Sequence, residues 1–146
     1  MAEDGAEDVV TLARRWIGTP YVHQASRIGA GCDCLGLIRG IWRERHGCEP
    51  EVPPPYSADW GECGGRELLH QAALRHLLPV APDAALAGGQ VLLFRMRTGS
   101  VAKHLGIVAR VEGGPSFIHA YNRRGVVESP LSAPWRLRIA ARFEFP

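Results

Sequence analysis

Apolar positions along this chain follow two different periods, and the change between them falls near residue 89. Over residues 6–16, Val9, Val10, Leu12, Ala13 and Trp16 recur at helical spacing, with acidic residues before them and Arg14 and Arg15 after. That order matches the helix macrodipole, and Gly18-Thr19-Pro20 ends the segment. Residues 21–31 read as loop, broken by Gly29 and Gly31. From Asp33, a natural N-cap, the helical spacing resumes through Cys34, Leu37, Ile38, Ile41 and Trp42, and Arg43, Arg45 and His46 lead to a stop at Gly47. Prolines at 50, 53, 54 and 55 predict an extended connector over 49–56, and Leu68, Leu69, Ala72, Leu74, Leu77 and Leu78 predict a third helix over 67–78. Beyond Gly88-Gly89 the segments are short and rich in branched or aromatic residues. They predict strands over 91–96, 105–111, 116–120, 126–128 and 137–145, punctuated by Gly99, Gly113-Gly114 and Gly125. Helices first and an antiparallel sheet afterwards predict an α+β fold, with residues 1–146 forming one domain.

Composition narrows the classes of function. A chain of 146 residues suits one compact domain, and 46% apolar residues with a formal charge of +2 do not fit a disordered chain. Seventeen basic residues against fifteen acidic ones leave no footprint for direct nucleic-acid binding. The longest apolar runs are four to five residues, as in Val91–Phe94, so no membrane insertion is expected. The start, Met1-Ala2-Glu3-Asp4, is acidic and has no hydrophobic run, which predicts no secretory signal.

The four cysteines, Cys32, Cys34, Cys48 and Cys63, all lie in the first half. Cys32 and Cys34 are one residue apart, too close to bridge easily with good geometry. Cys34 opens the second predicted helix, where unpaired amides and positive potential favour thiolate and would hold the oxyanion of a tetrahedral intermediate. A cysteine nucleophile needs a base from elsewhere in the fold. His46, His70 and His76 fall at helix ends and faces and read as surface or capping residues. His23 follows Pro20-Tyr21 and is placed to line a cleft near Cys34. His104 and His119 belong to neighbouring strands, where they would supply a base and its orienting partner. A metal-binding module built on Cys32, Cys34, His46 and Cys48 is the rival chemistry, but zinc sites favour Cys-x2–4-Cys spacing rather than Cys-x-Cys. No metal or cofactor is therefore expected.

Several of these residues stand in a familiar order. Asp33-Cys34-Leu35-Gly36-Leu37 resembles the Asp-Cys-Ser-Gly-Leu signature of NlpC-type papain-like cysteine peptidases, and Gly18-Thr19-Pro20-Tyr21 matches their upstream element. His104-Leu105-Gly106-Ile107 resembles their His-Val-Gly-Ile strand, and His119 in Phe117-Ile118-His119-Ala120 resembles their third polar position. The likeness spans residues 7–129. It implies a papain-like fold, with N-terminal helices on a C-terminal sheet and the nucleophile at a helix N-terminus. It implies Cys34 as nucleophile, His104 as general base and acid, and His119 as the residue orienting it. Tyr21 would assist the oxyanion site, with Asp33 and His23 beside the substrate. The implied reaction is hydrolysis of a peptidoglycan stem peptide, typically at the D-γ-glutamyl–diaminopimelate bond.

A narrower likeness, to the bacteriophage-tail and gene-transfer-agent branch, rests on Asp-Cys-Leu-Gly-Leu, on the Arg-Gly-x-Trp-Arg-Glu run at 39–44 and on residues 54–60. It implies tail hub or tip partners and a virion-like particle made in the bacterial cytoplasm and acting on the target cell's wall. Three departures stand out: Leu35 replaces serine, Val22-His23-Gln24 replaces aromatic–glycine–glycine, and Gln90 replaces an acid. The alternatives on the same scaffold are a catalytically silent tail-tip plug and an acyltransferase.

Overall fold

The computed structural model describes residues 5–53 and 67–146. Residues 54–60 and Cys63 lie outside the described residues. In chain order the elements are α1 (Gly5–Arg15), β1 (Ser26–Arg27), β2 (Gly31–Cys32), α2 (Cys34–His46), α3 (Leu68–His76), β3 (Leu78–Val80), β4 (Val91–Phe94), β5 (His104–Arg110), β6 (Ser116–Tyr121), β7 (Gly125–Pro130), α4 (Ala133–Arg136) and β8 (Ile139–Glu144). Six strands form one antiparallel sheet in the order β3-β8-β4-β5-β6-β7. The architecture is the expected α+β arrangement.

The period of two along each strand sorts residues between the two faces of this sheet. One face carries Leu93, Leu105, Ile107, Ile118, Ala120 and Phe143, buried in one cluster with Val9, Leu12, Ala13 and Trp16 of the α1 region and Leu37, Ile38 and Ile41 of α2. The other face carries Leu92, Phe94, Val108 and Phe117, packed with Leu131, Trp135 and Ile139.

Three short elements were not legible in the sequence. The β1–β2 hairpin, with Ser26 opposite Cys32, lies in the segment read as loop. The third helix ends at His76, and Leu78–Val80 leaves it to pair with β8 as an edge strand containing Pro79. Residues 133–136 form a helical turn with proline in its first positions instead of a straight run into β8. Strands of two or three residues are too short to show a period, and proline is tolerated at sheet edges and in first helical turns.

The run at 39–44 has a packing role. Arg39 and Arg43 both bind Glu49, at 2.7 and 2.9 Å, tying the end of α2 to the chain that follows it. Glu44 accepts from Trp16 Nε1, joining α2 to α1, and Gly40 lies against the Trp16 ring where a Cβ would collide with it. Trp42 packs on Phe145 and His76.

Candidate active site

Cys34 is the first residue of α2, and local chemistry makes the helix begin there. Asp33 is the N-cap: its Oδ1 accepts from the Gly36 amide at 2.7 Å and its Oδ2 from the Gln24 amide at 2.7 Å. One buried carboxylate thus fixes both the first turn and the preceding loop. Gly36 admits that loop, since a Cβ there would collide with the Ala25 carbonyl oxygen. The Gly18–Tyr21 segment crosses from α1 to the sheet. Gly18, at φ 96°, donates to Val126, and the Val126 amide returns a bond to Thr19. The crossing ends with Tyr21 bridged to Cys32, beside the start of α2.

The Cys34 sulfur meets the sheet at the beginning of β5. Its thiol faces the Lys103 carbonyl at 3.7 Å, and the Leu105 amide is directed back at the sulfur. Registered pairing of β5 with β6 starts further along, at Ile107 opposite Ile118, so this stretch of backbone meets the sulfur. Lys103 and Leu105 flank His104. The His104 Nε2 lies 2.8 Å from His119 Nδ1, and His119 Nε2 lies 3.0 Å from the Ser129 hydroxyl of β7. Phe94, Tyr121 and Trp135 pack around His104, and Phe117, Tyr121 and Trp135 around His119.

Burial dominates the electrostatics. It pushes the Cys34 thiol up to about 12; the Asp33 carboxylate adds to the rise, and the amides of Leu105, Leu35 and Cys34 oppose it. The amides of the helix N-terminus favour thiolate as expected, but loss of solvation outweighs them. Burial also lowers His104 to about 3, with His119 contributing, and lowers His119 to about 4. Tyr21 rises to about 12, first through burial and then through Cys34, Asp33 and Cys32 nearby. The resting site is a neutral thiol beside neutral imidazoles.

Of the residues singled out in the sequence, Cys34, His104, His119, Tyr21 and Asp33 converge here. His23 is about two-fifths exposed, with Nδ1 3.8 Å from Asp33 Oδ2. Cys32 is fully buried in the core beside them. His46 ends α2, roughly 18 Å from Cys34 at 1.5 Å per residue, so the four ligands of the rival metal site do not share one ion. Among the described residues no group of three or more His, Cys, Asp or Glu is placed to hold a metal. Gln90 accepts from Arg142 at 3.0 Å, a bond within the scaffold. Ser129 and Trp135 were missed. Ser129 approaches His119 only through the β6–β7 register, which no local pattern reveals.

A cysteine-bearing helix N-terminus set against two neighbouring strands that carry a histidine pair defines a papain-like α+β fold, and solved structures bear this out. The NlpC/p60 domain of peptidoglycan hydrolase SagA shares 20% identity over 95% of this chain and 97% of that one, with a TM-score of 0.58. An NlpC/p60 family protein from Bacillus cereus shares 20% identity over 96% of this chain and 40% of its own, with a TM-score of 0.64. Ly7917, solved with the hydrolysing product of MDP, shares 14% identity over 97% of this chain and 63% of its own, with a TM-score of 0.58. The chain thus has the NlpC/p60 fold and spans about two-fifths of the longer Bacillus cereus protein. No family model and no curated protein matches the sequence.

Proposed function

We propose that this protein is a cysteine endopeptidase that hydrolyses peptidoglycan stem peptides, with the D-γ-glutamyl–diaminopimelate amide as its bond. The observation that carries this reading is the Cys34 sulfur held between the Lys103 carbonyl and the Leu105 amide, on either side of His104, with His104 bound to His119. The substrate class is supported by two structural neighbours, one a domain of a peptidoglycan hydrolase and one solved with the hydrolysing product of MDP.

In this reading the neutral thiol attacks the amide carbonyl while His104 accepts its proton, so thiolate character develops only as the C–S bond forms. The first-turn amides of α2 and the Tyr21 hydroxyl receive the developing oxyanion. His104 returns the proton to the departing amine as the C–N bond breaks, leaving a thioester. Water then attacks the thioester carbonyl, giving its proton to His104. His104 passes that proton to the leaving Cys34 sulfur, which restores the thiol and releases a carboxylic acid.

The second part of the proposal places residues 1–146 as one peptidase domain of a phage-like tail tip, opening the cell wall for DNA delivery. It is supported by the likeness over residues 33–37, 39–44 and 54–60. The burial of His104 and the half-buried, neutral thiol of Cys34 favour a second reading, a catalytically silent plug at the same tail position.

Mass spectrometry of peptidoglycan fragments separates the two. A new amine and acid at the stem peptide, produced by the protein and not by Cys34→Ala, is expected. Unchanged fragments would leave the plug. A thiol alkylator should abolish cleavage and a chelator should leave it intact. Purified particles lacking the chain would overturn the tail assignment.

A further inference from the structure

His119 has a second polar contact that the histidine pair alone does not explain. Its Nδ1 faces His104 Nε2 at 2.8 Å, and its Nε2 faces the Ser129 hydroxyl at 3.0 Å, so both ring nitrogens are engaged. The ring itself is almost completely buried, packed against Phe117, Tyr121 and Trp135. Ser129 reaches it diagonally, because β7 pairs Val127 with His119 and Ser129 with Phe117.

A neutral imidazole donates from one nitrogen and accepts at the other, so these three residues form a chain that runs in one of two directions. In one direction Ser129 donates to His119 Nε2, and His119 Nδ1–H donates to His104 Nε2. His104 then carries its proton on Nδ1 and has no lone pair free to accept one. In the other direction His104 Nε2–H donates to His119 Nδ1, and His119 Nε2–H donates to the Ser129 oxygen. His104 Nδ1 then carries a free lone pair. Only the second direction lets His104 act as a base.

That direction requires an acceptor for the proton on His119 Nε2, deep in an aromatic enclosure. Buried donors without a partner are the rarest fault in folded proteins, and the Ser129 oxygen supplies this one. Ser129 is only half-buried, so its own hydroxyl proton has room to turn away from the ring.

We infer that Ser129 is a positioning residue: by accepting from His119 Nε2 it holds the His119–His104 pair in the tautomers that leave His104 Nδ1 free. The inference rests on the reading of His104 as the base, and its test has one arm that needs no substrate.

Two variants differ by a single group at one site. Ser129→Thr keeps the hydroxyl, and Ser129→Val puts a methyl in its place, which can neither accept nor donate. Long-range ¹⁵N–¹H correlation spectra of the labelled chain at neutral pH report the tautomer of each histidine. The expected wild-type result is an Nε2-protonated form of both His104 and His119. It should persist in Ser129→Thr and give way to Nδ1-protonated His119 in Ser129→Val. In the muropeptide assay kcat should fall on the order of tenfold in Ser129→Val, the effect of one hydrogen bond, with KM unchanged and Ser129→Thr near wild type. Unchanged tautomers in Ser129→Val, or the opposite tautomers in the wild type, would overturn the inference. A wild type that cleaves no stem peptide while its tautomers respond as described would remove the hydrolase reading and keep the role of Ser129.

Discussion

The two faces of the central sheet are built from the same strands and do different work. On β6, Ile118 and Ala120 point to the helices, while Phe117 and His119 point the other way. The helix face is a broad apolar layer where shape and hydrophobicity suffice. The opposite face is thinner and places two hydrogen-bonded histidines inside a ring of aromatic side chains. Cys34 arrives on the helix side yet meets the strand backbone where β5 has not begun pairing with β6, and so touches the segment that carries His104. Stability and chemistry are thus separated by one residue along a strand.

Substitutions at neighbouring positions should pull these roles apart. The largest effect is expected at Cys34: Cys34→Ala should lower turnover by at least ~10⁴-fold with little change in melting temperature, as losing a nucleophile does. Cys32→Ala, two residues away in the core, should keep most activity and lose stability instead. A dead Cys32→Ala would mean the wrong cysteine has been assigned.

The histidine face comes next. His104→Ala should cost ~10²–10⁴-fold in turnover, the usual worth of general acid–base catalysis. His119→Ala should be clearly impaired, and His119→Asn or His119→Gln should fall between it and the wild type, because either side chain keeps a hydrogen-bonding group. Turnover and melting temperature measured on the same four variants decide the matter. Full activity per folded molecule in His119→Ala would remove His119 from the site.

On the helix face Ile118→Ala, one position from His119, should cost about 2–5 kcal/mol of stability by urea unfolding. Activity per folded molecule should stay near wild type. A turnover loss exceeding the unfolded fraction would show that the two faces are coupled.

A last effect is a dependence of stability on pH. His104 and His119 have folded pKa values near 3 and 4, below the ordinary 6.5, so between those limits the unfolded chain binds more protons than the folded one. Their contribution is complete above pH 6.5 and is lost as pH falls below it, because the unfolded chain takes up the protons first. The carboxylates of Glu49 and Glu128, lowered despite burial by their arginine partners, add their own loss only below about pH 4.5. Unfolding free energies between pH 6.5 and 4.5 should therefore slope more steeply in the wild type than in a His104→Gln, His119→Gln double variant. Equal slopes would contradict the buried, neutral pair.

Much of this molecule was determined by the sequence alone. The helical spacing from Leu37 to Trp42, the Asp33 cap, the Gly47 stop and the order of helices before strands are local signals, carried by interactions within a few residues. They sufficed to put Cys34 at a helix N-terminus. Strand periodicity likewise marks alternate positions of β6 as facing opposite sides, yet it cannot say which side the helices cover. The meeting of His104 with His119, the diagonal reach of Ser129 and the packing of Trp135 over both rings depend on registers between strands and on a short turn after β7. The protonation of the site depends on tertiary structure as well. A helix N-terminus favours thiolate, but the surrounding fold strips water from Cys34, and that desolvation leaves the thiol neutral until a reaction draws its proton away.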